Sequence, residues 1–459
     1  MEGAFVALFD STAAKTSIAN STLNRLRSFT VLAEPDATIS CQPLPIRRIA
    51  WQAAGVWLAT RLVFLLLTAL ASAFGFIRAR PSAASLFPAN PSFARYVLPL
   101  LSGHPLLANW VHWDASWYLL ISQRGYDIFT ADSSGFFPLY PLQIHLLTVV
   151  IGARAALPAA LALSNLAALA AFIGLGLLAA HEAGSQEQVT EASARLIGVT
   201  AAYPFAFFLF APFTEGCFLA CVVFGLLCAR RGWWRWALLC GVLAGLTRPT
   251  AFALIPALAW EYGRQRGLWQ SAFWRAGVWR SLRGIRILTA GAVVAAGPAL
   301  GLSVYLLFLQ LRYGHAFTAF TAQTTYHGHR SWPIWQTLAE LARRFFLPHS
   351  LTPSTVVLYL DGGLLLLFLA ITLLNAHRLP LFYTLYTLAT LFFLLSTPVP
   401  HRPELLPSAG RYLLMATPIF LLLADWVRKR PALAVVVFGG GFMLQALFTL
   451  LFLTGLWIE

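Results

Sequence analysis

Residues 431–455, PALAVVVFGGGFMLQALFTLLFLTG, carry no charged side chain. A stretch of that length and apolarity has one stable form away from water. It is a helix, which bonds every backbone N–H and C=O within the segment. The pattern recurs along the chain. About eleven such segments stand out, at 49–77, 136–152, 155–181, 193–212, 214–229, 236–260, 287–311, 353–375, 379–396, 411–427 and 431–455. Mean hydropathy is +0.70 and 11% of residues are charged. Those values exclude a string of soluble domains. The expected fold is an all-α polytopic membrane protein with about 11 transmembrane helices over 49–459, after a cytoplasmic tail at 1–48. The first residues are mixed polar, with Asp10, Glu34 and Asp36, and lack the pattern of a cleavable signal.

The net charge is +15, and Lys15 and Lys429 are the only lysines. No RNA-binding signature accompanies this charge, so nucleic acid is not an expected partner. The arginines instead flank apolar segments, as in cytoplasmic loops. Arg47–Arg48, the run from Arg264 to Arg286 and Arg428-Lys429-Arg430 are therefore placed inside. Loops at about 78–135, 312–352 and 397–410 are placed outside. One stretch conflicts with this scheme. RRGWWR, 230–235, is basic, yet a single segment separates it from the 264–286 loop. Counting puts it outside and charge puts it inside; Pro204, Pro212, Pro249 and Pro256 offer helix breaks that would change the count.

Two external stretches are rich in aromatics: Trp110, Trp113, Trp117, Tyr118 and Tyr126 in the first, and Tyr326, Trp332, Trp335, Phe345 and Phe346 in the second. Both suit short helices lying in the membrane interface. Four of the five cysteines (Cys217, Cys221, Cys228, Cys240) cluster around one apolar segment, with Cys41 apart. They read as buried free thiols rather than a disulfide framework or zinc site.

The chain holds 17 Asp plus Glu in 459 residues, so each acid in an outer loop calls for a reason. Glu182, Glu187 and Glu191 lie in the polar HEAGSQEQVTEA and read as solvated. Asp132 lies in a turn composition, TADSSG. Glu340 is at helical spacing from Arg343 and Arg344 and reads as their ion-pair partner. Asp114, in HWDASWYLLISQRGY, differs, because its aromatic flanks desolvate it. Desolvation makes a carboxylate more basic, which suits a general base. A helix N-cap for ASWYLLIS is an equal and compatible reading.

Arg61, Arg248 (LTRPT) and Arg411 (SAGRY) sit in or at the ends of apolar segments, where a charge marks a functional site by default. Arg411 follows a helix-start composition, and helix starts and arginines both favour phosphate. Arg248 is balanced between a functional role and pairing with Glu215 or snorkelling. His327-Gly328-His329, with His315 and His349, fits no strong metal template. No Asp-x-Asp, P-loop, dinucleotide fingerprint or nucleophile elbow is present. No cofactor or divalent metal is indicated.

HWDASWYLLISQRGY followed by FFPLYPL (136–142) resembles the first external loop and second helix of the PIG-V family, which includes GPI mannosyltransferase II and bacterial relatives. YPFAFFLFAPFTEGCFLA (203–220), LAGLTRPTAFALIPALAWEY (243–262) and SAGRYLLMATPIFLLLADW (408–426) resemble later blocks of that family in the same order. The likeness runs over about 50–430. The acid block of that family usually begins R-W-D; His112 stands here in place of the arginine.

This resemblance implies the GT-C fold and transfer of a sugar, typically mannose, from a polyprenyl-phosphate donor to an acceptor hydroxyl on the external face. The acceptor would be a glycan, glycolipid or protein. Asp114 would be the base of an inverting displacement. Arg411, with Arg248 or His401-Arg402, would stabilise the departing phosphate, and Glu215 would orient an arginine. His112, Trp113, Trp117, Tyr126 and Gln323 join the donor-binding set. Thirty arginines against two lysines, with short loops, suit a bacterial plasma membrane, with the endoplasmic reticulum membrane as the alternative. A transporter or flippase of a lipid-linked substrate is the competing reading, and a lipid-linked glycan polymerase or ligase a further enzymatic one. The transporter should show repeated broken helices.

Overall fold

The computed structural model describes residues 45–77, 91–183, 186–275, 277–325, 327–347, 350 and 352–456. Most of the tail expected at 1–48, the start of the 78–135 loop, Cys41, Tyr326 and His349 lie outside them. The described residues form helices and no strand.

In chain order the helices used below are α1 (Ile46–Ala73), α2 (Pro91–Leu101), α3 (Asp114–Arg124), α4 (Leu139–Ile151), α5 (Ala156–Glu182), α6 (Gln186–Ala201), α7 (Glu215–Arg230), α8 (Trp234–Thr247) and α9 (Leu254–Gln265). After them come α10 (Leu282–Ala295), α11 (Gly297–Tyr313), α12 (Thr318–Thr325), α13 (Ile334–Phe346), α14 (Pro353–Leu374), α15 (Leu381–Ser396), α16 (Ala409–Leu413), α17 (Thr417–Lys429) and α18 (Pro431–Leu453).

Four helices are long and apolar enough to cross a membrane: α1, the stretch Ala153–Glu182 that contains α5, α14 and α18. A fifth span forms if α10 and α11, bent by 60° at the break, count as one. Pro298 in the first turn of α11 cannot continue the α10 ladder, which explains the bend. The structure thus supports a helical, membrane-embedded chain but not eleven separate spans. Helix α4 has 13 residues, about 20 Å, short of the roughly 30 Å of a hydrocarbon core. It lies beside α3, with His145 Nδ1 against the Ser122 carbonyl at 2.7 Å.

The expected segments 193–212 and 236–260 are broken helices. α6 ends at Ala201 and an irregular stretch leads to α7; α8 ends at Thr247 and a 3₁₀ turn, Pro249–Ala253, leads to α9. Irregular backbone inside an apolar body needs partners, and distant side chains supply them. Gln445 donates to the carbonyls of Ala201 and Tyr203. Asn165 donates to Phe210 O, Ser164 to Phe213 O and Arg61 to Leu209 O. Arg61 also donates to Asn165 Oδ1 at 2.8 Å. Its charge is thereby spent holding α1 and α5 to the irregular stretch.

These breaks resolve the conflict over 230–235. α7 and α8 form one hairpin and α8 and α9 the next, so both basic loops reach the same end of the molecule. Arg230 lies 3.3 Å from Glu261, and Gln265 donates to the Ala229 carbonyl at 2.9 Å. Glu182 corrects the solvated reading. The loop after α5 falls at this basic end, where Glu182 is buried and paired with Arg230 at 2.8 Å. Tyr383 at the start of α15 donates to it at 2.7 Å. The expected loops 312–352 and 397–410 meet at the opposite end, joined by Arg330 N–H to Pro398 O and Trp332 N–H to Ser396 O. The first folds into short helices, Thr318–Thr325 and Ile334–Phe346, as expected, whereas the second is made of turns up to α16. Glu340 on α13 pairs with Arg343 and Arg344.

Candidate functional site

At that second end a partly open cavity of about 380 Å³ lies between the first loop, the α8–α9 turn, α12, α15 and the 402–412 segment. Asp114 stands on its wall. The preceding Trp113 has φ 45° and ψ −116°, a conformation that costs a non-glycine residue about 1–3 kcal/mol. Packing holds it: Phe452 of α18 lies 5.3 Å from the Trp113 ring and 5.1 Å from that of His112. The turn aims Asp114 away from its own helix. No side chain caps α3, so the N-cap reading gives way: the carboxylate instead accepts from Arg411 Nη2 at 2.9 Å.

Arg411 sits on the short helix α16. Asp361 of α14 accepts the Gly410 N–H at 2.8 Å and so anchors that helix. Gly410 is required there, since a Cβ would meet the Phe205 ring and Asp361 Oδ1. The Arg411 guanidinium is buried among the rings of Phe208, Phe213 and Tyr412, at 5.3, 5.3 and 5.2 Å. Its Nε lies 3.0 Å from Glu215 Oε1.

Arg248, at the α8–α9 turn, reaches the same oxygen from the other side, with Nη2 at 2.6 Å, while its Nε donates to Thr214 Oγ1 at 2.7 Å. Its remaining nitrogen, Nη1, is buried without a hydrogen-bond partner, as is Glu215 Oε2. Orphaned buried groups of this kind are costly, and at a cavity wall they are a reason to expect a ligand. Glu215, fully buried, acts as the strut that fixes both arginines. Arg330 and Arg402 add positive charge to the cavity lining.

The other expected site residues divide. Gln323 lines the cavity and donates to the Gly135 carbonyl at 3.1 Å. Trp117 lies one layer back, stacked on the cavity-lining Phe136 at 5.4 Å. Tyr126 is a buried scaffold residue donating to the Phe136 carbonyl at 2.8 Å. His112 and Trp113 do not line the cavity. His112 packs under Phe452, and burial lowers its pKa to about 4, so at neutral pH it offers no cation for phosphate. His401 also lies off the cavity wall, against Gly328, where a Cβ would collide with its ring. The thiols of Cys217, Cys221, Cys228 and Cys240 are free. Among the described residues, no three His, Cys, Asp or Glu side chains gather as a metal site.

Sequence reasoning missed Asp361, Thr214 and Tyr412, and weighed His327 only as a metal ligand. Asp361 was visible in principle as a lone acid inside the apolar run 353–375. Thr214, Tyr412 and the cavity position of His327 reveal themselves only through contacts.

Fold and site together define an all-helical, membrane-type protein with a cation-rich cavity at one end. Comparison with known proteins assigns it no narrower kinship: no family model, curated protein or solved structure matches the chain.

Proposed function

We propose that the protein is a multi-pass membrane glycosyltransferase of the GT-C type. It moves a sugar, mannose in the first instance, from a polyprenyl-phosphate donor to an acceptor hydroxyl. The observation that carries this reading is convergence. Each of the four blocks that resemble the PIG-V family supplies one member of a single ion-paired cluster beside the cavity: Asp114, Glu215, Arg248 and Arg411. The basic end faces the cytoplasm by the positive-inside rule. The cavity then faces outward, in a bacterial plasma membrane.

In the proposed step Asp114 accepts the acceptor hydroxyl's proton as that oxygen bonds to the anomeric carbon. The carbon–oxygen bond to phosphate breaks on the opposite face, and its electron pair leaves with the lipid phosphate. Arg248 Nη1, still without a partner, meets the developing charge, with Arg411 and Arg402 nearby. Such a fixed base contributes about 10²–10⁴ in rate. The test is transfer from polyprenyl-phosphate mannose by purified protein in nanodiscs. Asp114→Asn should abolish transfer while thermal unfolding stays unchanged; transfer at the wild-type rate sinks the assignment.

One observation favours the transporter reading. Two neighbouring broken hairpins, α6–α7 and α8–α9, bring charged tips together at the cavity, as discontinuous helices do in transporters. Movement of labelled lipid across the bilayer without sugar transfer decides for it.

A further inference from the structure

The cavity has a second polar wall that the ion-pair cluster does not use. His327 lies just beyond α12 and lines the cavity, and its Nε2 is buried with no hydrogen-bond partner. Gly135 presses against it. A Cβ there would meet both His327 Nε2 and Gln323 Nε2 at 3.2 Å, a contact tight enough that one of them would have to shift. Gln323 fastens that loop through the Gly135 carbonyl, and the His327 ring meets the Phe136 ring edge-on at 5.5 Å. The imidazole is therefore held in place rather than free to find a partner elsewhere.

Its charge state follows from its surroundings. Burial lowers the His327 pKa and outweighs the pull of Asp114 and Asp132, which would raise it; Arg402 lowers it further. At neutral pH the ring is uncharged, with one nitrogen a donor and the other an acceptor. That suits a hydroxyl, which also donates and accepts. A phosphate finds better partners in the arginines across the cavity.

We propose that His327 is the hydroxyl-reading residue of this cavity, bonding the sugar of a bound lipid while Arg248 and Arg411 take the phosphate. This rests on the reading of the cavity as a site for a lipid-linked sugar. The test measures binding of polyprenyl phosphate and of polyprenyl-phosphate mannose to the full-length protein in nanodiscs. His327→Ala should weaken the glycosylated lipid roughly tenfold, the worth of about one hydrogen bond, and leave the bare lipid phosphate unchanged. His327→Gln, which keeps a donor and an acceptor, should restore part of the loss. Equal weakening of both lipids, or no change in either, overturns the proposal. So does a wild-type protein that does not prefer the glycosylated lipid. The transferase reading fails separately: a wild type that transfers nothing, yet binds the sugar lipid through His327, keeps the subsite and loses the reaction.

Discussion

Two buried ionic clusters sit at opposite ends of this molecule, and each is built from two acids and two arginines. At the basic end Arg230 donates to Glu182 through Nε at 2.8 Å and Nη2 at 3.1 Å. Glu261 accepts from Arg230, from Arg264 through two nitrogens, and from Gln265. Tyr383 completes Glu182. At the other end Glu215 Oε1 alone serves two guanidiniums, while Glu215 Oε2 and Arg248 Nη1 have no hydrogen-bond partner. The first cluster is closed and saturated. The second is open, under-bonded and set against a cavity. Burial of charge therefore does not by itself separate the two clusters; incomplete bonding beside a cavity does, and it is on this that the proposed function rests.

The sharpest way to break this comparison is to remove one arginine from each cluster. Arg230→Ala leaves Glu182 and Glu261 short of their partner inside the protein, and should cost about 3–5 kcal/mol of stability. Arg411→Ala should lower sugar transfer by about 10²–10³, with a smaller loss in unfolding temperature because Glu215 keeps Arg248. Unfolding in detergent and transfer from the lipid donor, measured on both variants, check this. The reverse pattern would place the function at the basic end.

A smaller effect is expected from Asp361→Asn. It weakens the anchor of α16 without touching the cavity, since Asp361 bonds the Gly410 N–H. The loss should be about 1–3 kcal/mol, divided between stability and the positioning of Arg411. It should appear as a lower transfer rate with nearly unchanged donor affinity; full activity would remove Asp361 from the site's support.

The smallest effect concerns surface charge. Hydrogen bonds from Arg343 and then Arg344 hold Glu340 down to about 2 from an ordinary 4.5. A depressed carboxylate contributes stability above its ordinary pKa and loses it as pH falls towards the lowered one. Glu340→Gln should thus lower the unfolding temperature by a small amount at neutral pH and flatten its fall between about pH 4.5 and 2 by that same amount. A large loss at pH 7 would give this peripheral network a weight that the comparison denies it.

Legibility in the sequence followed the range of the interaction. Glu340 with Arg343 and Arg344 was readable because helical spacing makes those residues neighbours. Asp114, Arg248 and Arg411 were readable because charges beside apolar runs are rare. The common ends of loops 312–352 and 397–410 followed from the arginine pattern. Glu182 was misread because its partner Arg230 is 48 residues away and no local spacing brings the two together. His112, Trp113 and His401 stand beside site residues in sequence but outside the cavity wall in space.

The sequence by itself determined that the chain is helical and suited to a membrane, which ends carry positive charge, and which few acids and arginines are too costly to be incidental. Those properties belong to single segments, because each apolar helix satisfies its own backbone. Tertiary structure alone decided which segments run whole and which break. A broken helix survives only where Arg61, Ser164, Asn165 and Gln445 reach its carbonyls from elsewhere in the chain. It likewise decided that one ionic cluster closes on itself and the other is left open. Both outcomes depend on how many partners lie within bonding distance of a buried polar atom, and that number is set by packing rather than by order along the chain.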